Sequence, residues 1–164
     1  MSIASEKPAL LRAVNLCVNL HAENTTVKAV RHVNYSLAAG ETLAIVGESG
    51  SGKTIMNFAP LGLLPAGVAA DYSGSLLFED IDLLTLSEDR LQKYRGGKIG
   101  VVFQDPLSAL NPSRKIGRQI AEVAEIHLGM STRAAEQRAQ ELLKLVGIPD
   151  PASRLQQYPH ELSG

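Results

Sequence analysis

Two segments near the start of the chain alternate apolar and polar residues, which predicts two β-strands. They cover residues 9–20 and 27–37 and are separated by the polar run HAENTT, whose composition is typical of a turn. Residues 42–46 (TLAIV) and 99–103 (IGVVF) are continuous apolar runs instead, the pattern of parallel strands buried on both faces. A further short strand is predicted at residues 75–78.

Helical periodicity dominates the second half of the chain. Ser87 is predicted to cap a helix that runs to about Tyr94, with Gly96-Gly97 closing it. Helices are also predicted at residues 115–128 and 132–146, the second from apolar residues at helical spacing. Residues 53–64 also have helical length, but they contain Pro60. Because proline lacks a backbone donor and crowds the preceding turn, the helix is expected to kink or end early there.

Composition and charge exclude several classes of protein. The chain has 164 residues with 16 Lys+Arg against 17 Asp+Glu, so its overall charge does not favour nucleic acid as a partner. Cys17 is the only cysteine, which excludes an intrachain disulfide and favours a reducing compartment, with the thiol expected to be buried. No apolar stretch reaches membrane-spanning length, and Glu6, Lys7 and Arg12 argue against a signal peptide. A cytosolic location is therefore expected.

One glycine-rich segment fits the phosphate-binding pattern G-x-x-x-x-G-K-[ST] without a mismatch. Glycines turn consecutive N–H groups inward around a phosphate, the lysine adds a charge, and the final hydroxyl is placed for Mg²⁺. A plain turn of small residues could match by chance, but a predicted strand before it and a helix after it favour phosphate binding. The segment reads Gly47-Glu48-Ser49-Gly50-Ser51-Gly52-Lys53-Thr54.

The glycine-rich pattern, known as the P-loop, occurs in several classes of nucleotide-binding protein, so other segments must decide between those classes. Residues 71–74 match the D-x-x-G of GTPases, but no Asn-Lys pair occurs in the chain, so a guanine-reading motif is missing. Asp80 follows an apolar stretch as a magnesium-binding Asp would, yet the strand before it is short and bounded by turns, which favours an exposed turn. A P-loop small-molecule kinase remains an alternative, which leaves residues 101–112 and 158–164 unexplained.

Those two segments resemble motifs of the ATP-binding cassette (ABC) ATPases. Residues 101–112 (VVFQDPLSALNP) resemble the Q-loop of the dipeptide and oligopeptide importer subfamily, and residues 158–164 (YPHELSG) resemble its approach to the signature motif. The resemblance implies an α/β P-loop NTPase fold with an antiparallel β part. It also implies a β-subdomain and P-loop core at residues 1–112 and a helical subdomain at residues 113–164.

The resemblance assigns roles to individual residues. The whole P-loop would bind ATP, with Lys53 on the phosphates, while Thr54 and Gln104 would hold Mg²⁺ and Gln104 would reach the attacking water. Ser163 and Gly164 match the signature loop, which closes over ATP held by a second ABC ATPase subunit, in a homodimer or a heterodimer. The helical subdomain would contact transmembrane permease subunits, placing the protein at the cytoplasmic face of the membrane.

The family's magnesium-holding Asp, catalytic Glu and switch His all lie beyond its signature motif, where this chain stops. None of the four histidines is expected to substitute, and His21 is expected in a turn. The loop between the first two strands offers no aromatic residue to stack on adenine. The chain is thus interpreted as about two thirds of a cassette from an importer of peptides, with nickel or glutathione as alternative cargo. For the isolated chain, the favoured alternative is a non-catalytic remnant that binds ATP weakly or not at all and has no steady-state ATPase activity.

Overall fold

The computed structural model describes residues 8–22, 25–105 and 109–162. The chain divides into two compact units, residues 1–91 and 92–164. The boundary predicted between residues 112 and 113, which divides the β-subdomain and P-loop core from the helical subdomain, is a different kind of division and stays a prediction.

The first unit is built on an antiparallel sheet whose strands lie in the order β2-β1-β3-β4. Strands β1 and β2 form the predicted hairpin, since Leu16 pairs with Val33 and Val18 with Val30. Leu16 and Val18 are fully buried because the alternating pattern turns them to one face. The strands are β1 (Ala9–Ala22), β2 (Thr25–Ala38), β3 (Ala69–Phe78) and β4 (Ile81–Asp82). The short strand predicted at residues 75–78 is therefore the end of a longer one.

The two predicted buried parallel strands do not form, and this expectation was wrong. Residues 41–48 have no regular structure, and Val46 is 88% exposed. Ile99 makes only an isolated bridge with Arg95, and Val102 is 95% exposed. A buried parallel strand needs a hydrogen-bonded neighbour and a layer on each face. Among the described residues, neither segment has such a neighbouring strand.

The helix after the glycine loop ends early, as Pro60 predicts. Helix α1 (Lys53–Phe58) passes into a 3₁₀ turn (Ala59–Leu61) in which Pro60 lies near the start and is buried. Gly62 then ends the turn with a left-handed backbone. The hydroxyl of Tyr72 on β3 donates to the Ala59 carbonyl at 2.6 Å, which fixes this turn against the sheet.

The second unit is helical, and the predicted helices at residues 115–128 and 132–146 are confirmed within one residue at each end. Helices α3 (Ile116–Leu128) and α4 (Thr132–Leu145) pack through alanines, with Ala121, Ala135 and Ala139 fully buried. Small side chains let two helices approach closely. Helix α2 (Glu88–Tyr94), also predicted, crosses the boundary between the units, and the short α5 (Pro151–Arg154) follows α4.

Two side-chain expectations need correction. Cys17 is only half-buried, and its sulfur accepts from the backbone N–H of His32 at 3.2 Å. His21 lies within β1 rather than in a turn, where its two ring nitrogens contact Thr26 at 3.0 Å and Asp71 at 2.6 Å. The hairpin extends further than its polar sequence indicated, so both ends of this polar run are strand.

Candidate functional site

The glycine-rich loop lies in the first unit and leads directly into α1. Residues 49–52 turn sharply, with the Ser51 N–H donating to the Glu48 carbonyl at 3.2 Å. Gly50 and Gly52 have φ values of 79° and 90°, in the left-handed region that side chains disfavour. The sequence predicted a need for glycine in this loop, and the backbone shows that need at these two positions.

The Lys53 ammonium bonds to three oxygen atoms of the glycine-rich loop. Its Nζ donates to the carbonyls of Gly47 and Glu48, both at 2.6 Å, and to the Ser51 hydroxyl at 3.2 Å. An ammonium has three N–H donors, so these three acceptors use all of them. The positive charge is thereby held against the loop, in the same segment as its backbone amides.

Several of those amides are open to an acceptor. Among the described residues, the backbone N–H groups of Gly50, Gly52 and Lys53 donate to no protein oxygen. Met56 is the first residue of α1 to donate along the helix, to the Gly52 carbonyl at 2.8 Å. Free amides beside a lysine at the start of a helix form a site that suits the oxygens of a phosphate.

Packing against the sheet fixes where the loop lies. A Cβ atom on Gly52 would lie 2.4 Å from the Ala29 carbonyl oxygen on β2, and one on Gly47 would lie 2.9 Å from the Ser51 hydroxyl. Gly50 faces open space, with nothing within 4 Å of such an atom. Nothing in the sequence pointed to Ala29, because its contribution is a backbone oxygen that any residue carries.

The predicted site residues fall on different parts of the chain. Thr54 is exposed in the first turn of α1, one residue from Lys53. Gln104 is exposed at a bend in the second unit. Ser163 and Gly164 lie outside the described residues. Asp80 lies in an exposed turn with a φ of 62°, as the sequence predicted.

The described part of the chain has no side-chain cluster of the kind that binds a metal ion without a ligand. No group of three or more His, Cys, Asp and Glu side chains there could hold a metal ion. Within residues 8–22, 25–105 and 109–162, no helix is long and apolar enough to cross a membrane.

Curated proteins similar to this chain are ATP-binding proteins of peptide transport. The chain is 48% identical over 155 residues to the oligopeptide transport ATP-binding protein OppD of Bacillus subtilis, covering 94% of this chain and 43% of OppD. It is 46% identical to the dipeptide transport ATP-binding protein DppD of Haemophilus influenzae, covering 95% of this chain and 47% of DppD. The chain thus spans less than half the length of these two relatives.

The fold matches solved ATP-binding cassettes. A dimeric structure of the cassette MJ0796, described as a post-hydrolysis state bound to ADP and Pi, superimposes with a TM-score of 0.76 at 26% identity. The match covers 93% of this chain and 63% of that cassette, and it confirms the predicted fold class. The ABC transporter family profile matches residues 30–164. The chain therefore belongs to the ABC transporter family.

Proposed function

We propose that residues 47–54 bind the β- and γ-phosphates of MgATP, and that the chain is the ATP-binding part of an importer of peptides. The observation that carries this proposal is the loop closed by Lys53 next to unpaired amides. Neutral ligands would gain little from this arrangement, whereas phosphate oxygens accept from the amides and the ammonium together.

Lys53 changes partners when a phosphate enters. Its three N–H donors are already used by Gly47, Glu48 and Ser51, so a phosphate oxygen must replace at least one of them. The Ser51 hydroxyl, at 3.2 Å, is the longest of the three contacts and the natural one to exchange. The ammonium then offsets charge on the transferring phosphoryl group during in-line attack by water.

The remaining roles extend the proposal to residues outside this loop. Thr54 and Gln104 would hold Mg²⁺, which offsets phosphate charge when bound, and the Gln104 amide would orient the attacking water. Ser163 and Gly164 would donate to ATP held by a second ATPase subunit. The dimeric cassette MJ0796 supports pairing of this kind.

The names of the relatives support the proposed cargo. OppD and DppD are named as ATP-binding proteins of oligopeptide and dipeptide transport, which supports peptides as cargo. Permease subunits would carry the peptides, and the ATP-binding chain would lie against them at the cytoplasmic face of the membrane.

A second candidate function is ATP binding without turnover. The exposure of Val46 and Val102 is compatible with it for the isolated chain, because among the described residues neither 42–46 nor 99–103 forms the buried strand that its sequence predicts. Binding and turnover are separable: phosphate release from ATP at about 1 per second or faster, lost in Lys53→Ala, would contradict this candidate.

The decisive experiment measures binding of a fluorescent ATP analogue with Mg²⁺. Lys53→Ala should weaken binding at least about tenfold, because hydrogen bonds to charged groups contribute about 1.5–3 kcal/mol. Lys28→Ala is the matched control, since Lys28 is exposed on β2, and it should leave affinity unchanged. Equal affinities for the two variants and the parent chain would exclude this loop as the nucleotide site.

A further inference from the structure

The second unit carries a polar groove bounded by α3, α4 and α5. Its volume is about 440 Å³, within the range of roughly 300–1,000 Å³ found for small-ligand sites. All the residues that line the groove belong to the second unit, whereas the glycine-rich loop belongs to the first.

Two cations of this groove have no anionic partner among the described residues. Arg118 is held by Glu125 through two contacts of 2.7 Å, and this ion pair uses its charge. Lys115 donates only to the neutral Gln156 amide oxygen at 3.1 Å, and Arg133 has no hydrogen bond or ion pair within the described residues. Glu136 is the one carboxylate among the described lining residues, so Lys115 and Arg133 leave an excess of positive charge.

Neutral amides supply the other polar groups. Gln137 and Gln140 line the groove from α4, and residues three apart on a helix share a face. An amide side chain both donates and accepts hydrogen bonds, which matches the alternating N–H and C=O groups of an extended peptide. Ala152 and Leu155 add apolar surface from the α5 side.

We propose that this groove binds an acidic peptide segment of a partner protein. A carboxylate of the segment pairs with Arg133 and Lys115, while its backbone pairs with Gln137 and Gln140. Charge complementarity selects an acidic segment, because a basic one would meet two unpaired cations. This partner site is additional to the ATP-binding function and does not depend on it.

The test uses a fluorescein-labelled peptide, Ala-Glu-Glu-Ala, and its neutral counterpart, Ala-Gln-Gln-Ala, with anisotropy as the readout. The acidic peptide should bind more tightly, and its binding should weaken as salt rises. Arg133→Gln should reduce affinity by about fivefold, the scale of a solvent-accessible ion pair. Arg138→Gln is the matched control, because Arg138 lies on the same helix and pairs with Glu141 at 3.1 Å.

Three results would overturn the proposal. These are equal binding of the two peptides, the same loss in both arginine variants, and no binding of the acidic peptide at millimolar concentration. Circular dichroism of each variant checks that α3 and α4 remain folded. If Arg133→Gln unfolds the helices, Lys115→Gln provides the same test from α3, with the same expected loss.

Discussion

Replacing Gly52 by alanine tests how the glycine-rich loop is held against the sheet. The backbone at Gly52 has a φ of 90°, and a Cβ atom there would lie 2.4 Å from the Ala29 carbonyl oxygen. The left-handed backbone costs an alanine about 1–2 kcal/mol. Relieving the collision costs about 1–3 kcal/mol more, because β2 cannot move without disturbing its pairing with β1. Gly52→Ala should therefore lose about 2–5 kcal/mol of unfolding free energy.

Gly50→Ala separates the two contributions. Gly50 also has a left-handed backbone, with a φ of 79°, but it faces open space, so only the backbone cost of about 1–2 kcal/mol applies. Urea unfolding followed by far-ultraviolet circular dichroism measures both variants. Equal losses at the two positions would refute the idea that the Ala29 carbonyl fixes the loop.

Two further predictions concern the helical unit. Ala139→Leu should destabilise it by about 1–3 kcal/mol, because Ala139 is fully buried. The control Ala134→Leu, on the exposed face of α4, should change stability little. Thermal unfolding monitored by circular dichroism compares the two variants, and equal melting temperatures would contradict the packing argument. The hydrogen bond from Arg118 lowers the pKa of Glu125. The stabilisation that this ion pair gives the folded state is therefore present above the ordinary carboxyl pKa and is lost as pH falls through the lowered value. Melting temperatures of the parent chain and Glu125→Gln should therefore differ at neutral pH and converge in acid; a constant difference would argue against this ion pair.

Local patterns predicted those elements that a segment can specify alone. The hairpin of β1 and β2 follows from alternation, and α3 and α4 follow from apolar residues at helical spacing, so their bounds were close. The early end of α1 follows from the covalent geometry of Pro60. The glycine loop follows from a motif in which each residue type has a local role.

Expectations that depended on distant partners were the ones that failed. Residues 42–46 are as apolar as a buried strand, yet Val46 is exposed, since burial requires other segments to pair with it and cover it. His21 has a turn-like sequence around it, yet Asp71, fifty positions away, bonds to it in the sheet. The half-buried Cys17 likewise reflects the neighbouring strand β2 rather than its own segment.

The sequence by itself determined the family, the phosphate-binding motif and the helices of the second unit, because these depend on residue identity and short-range spacing. The tertiary structure decided which atoms surround the motif. It placed the Ala29 carbonyl against Gly52 and gave Lys53 its three acceptors. Within the described part of the chain, it also left Lys115 and Arg133 without a carboxylate partner in one groove. Such contacts join residues through backbone atoms and packing, which carry no signature in the order of side chains.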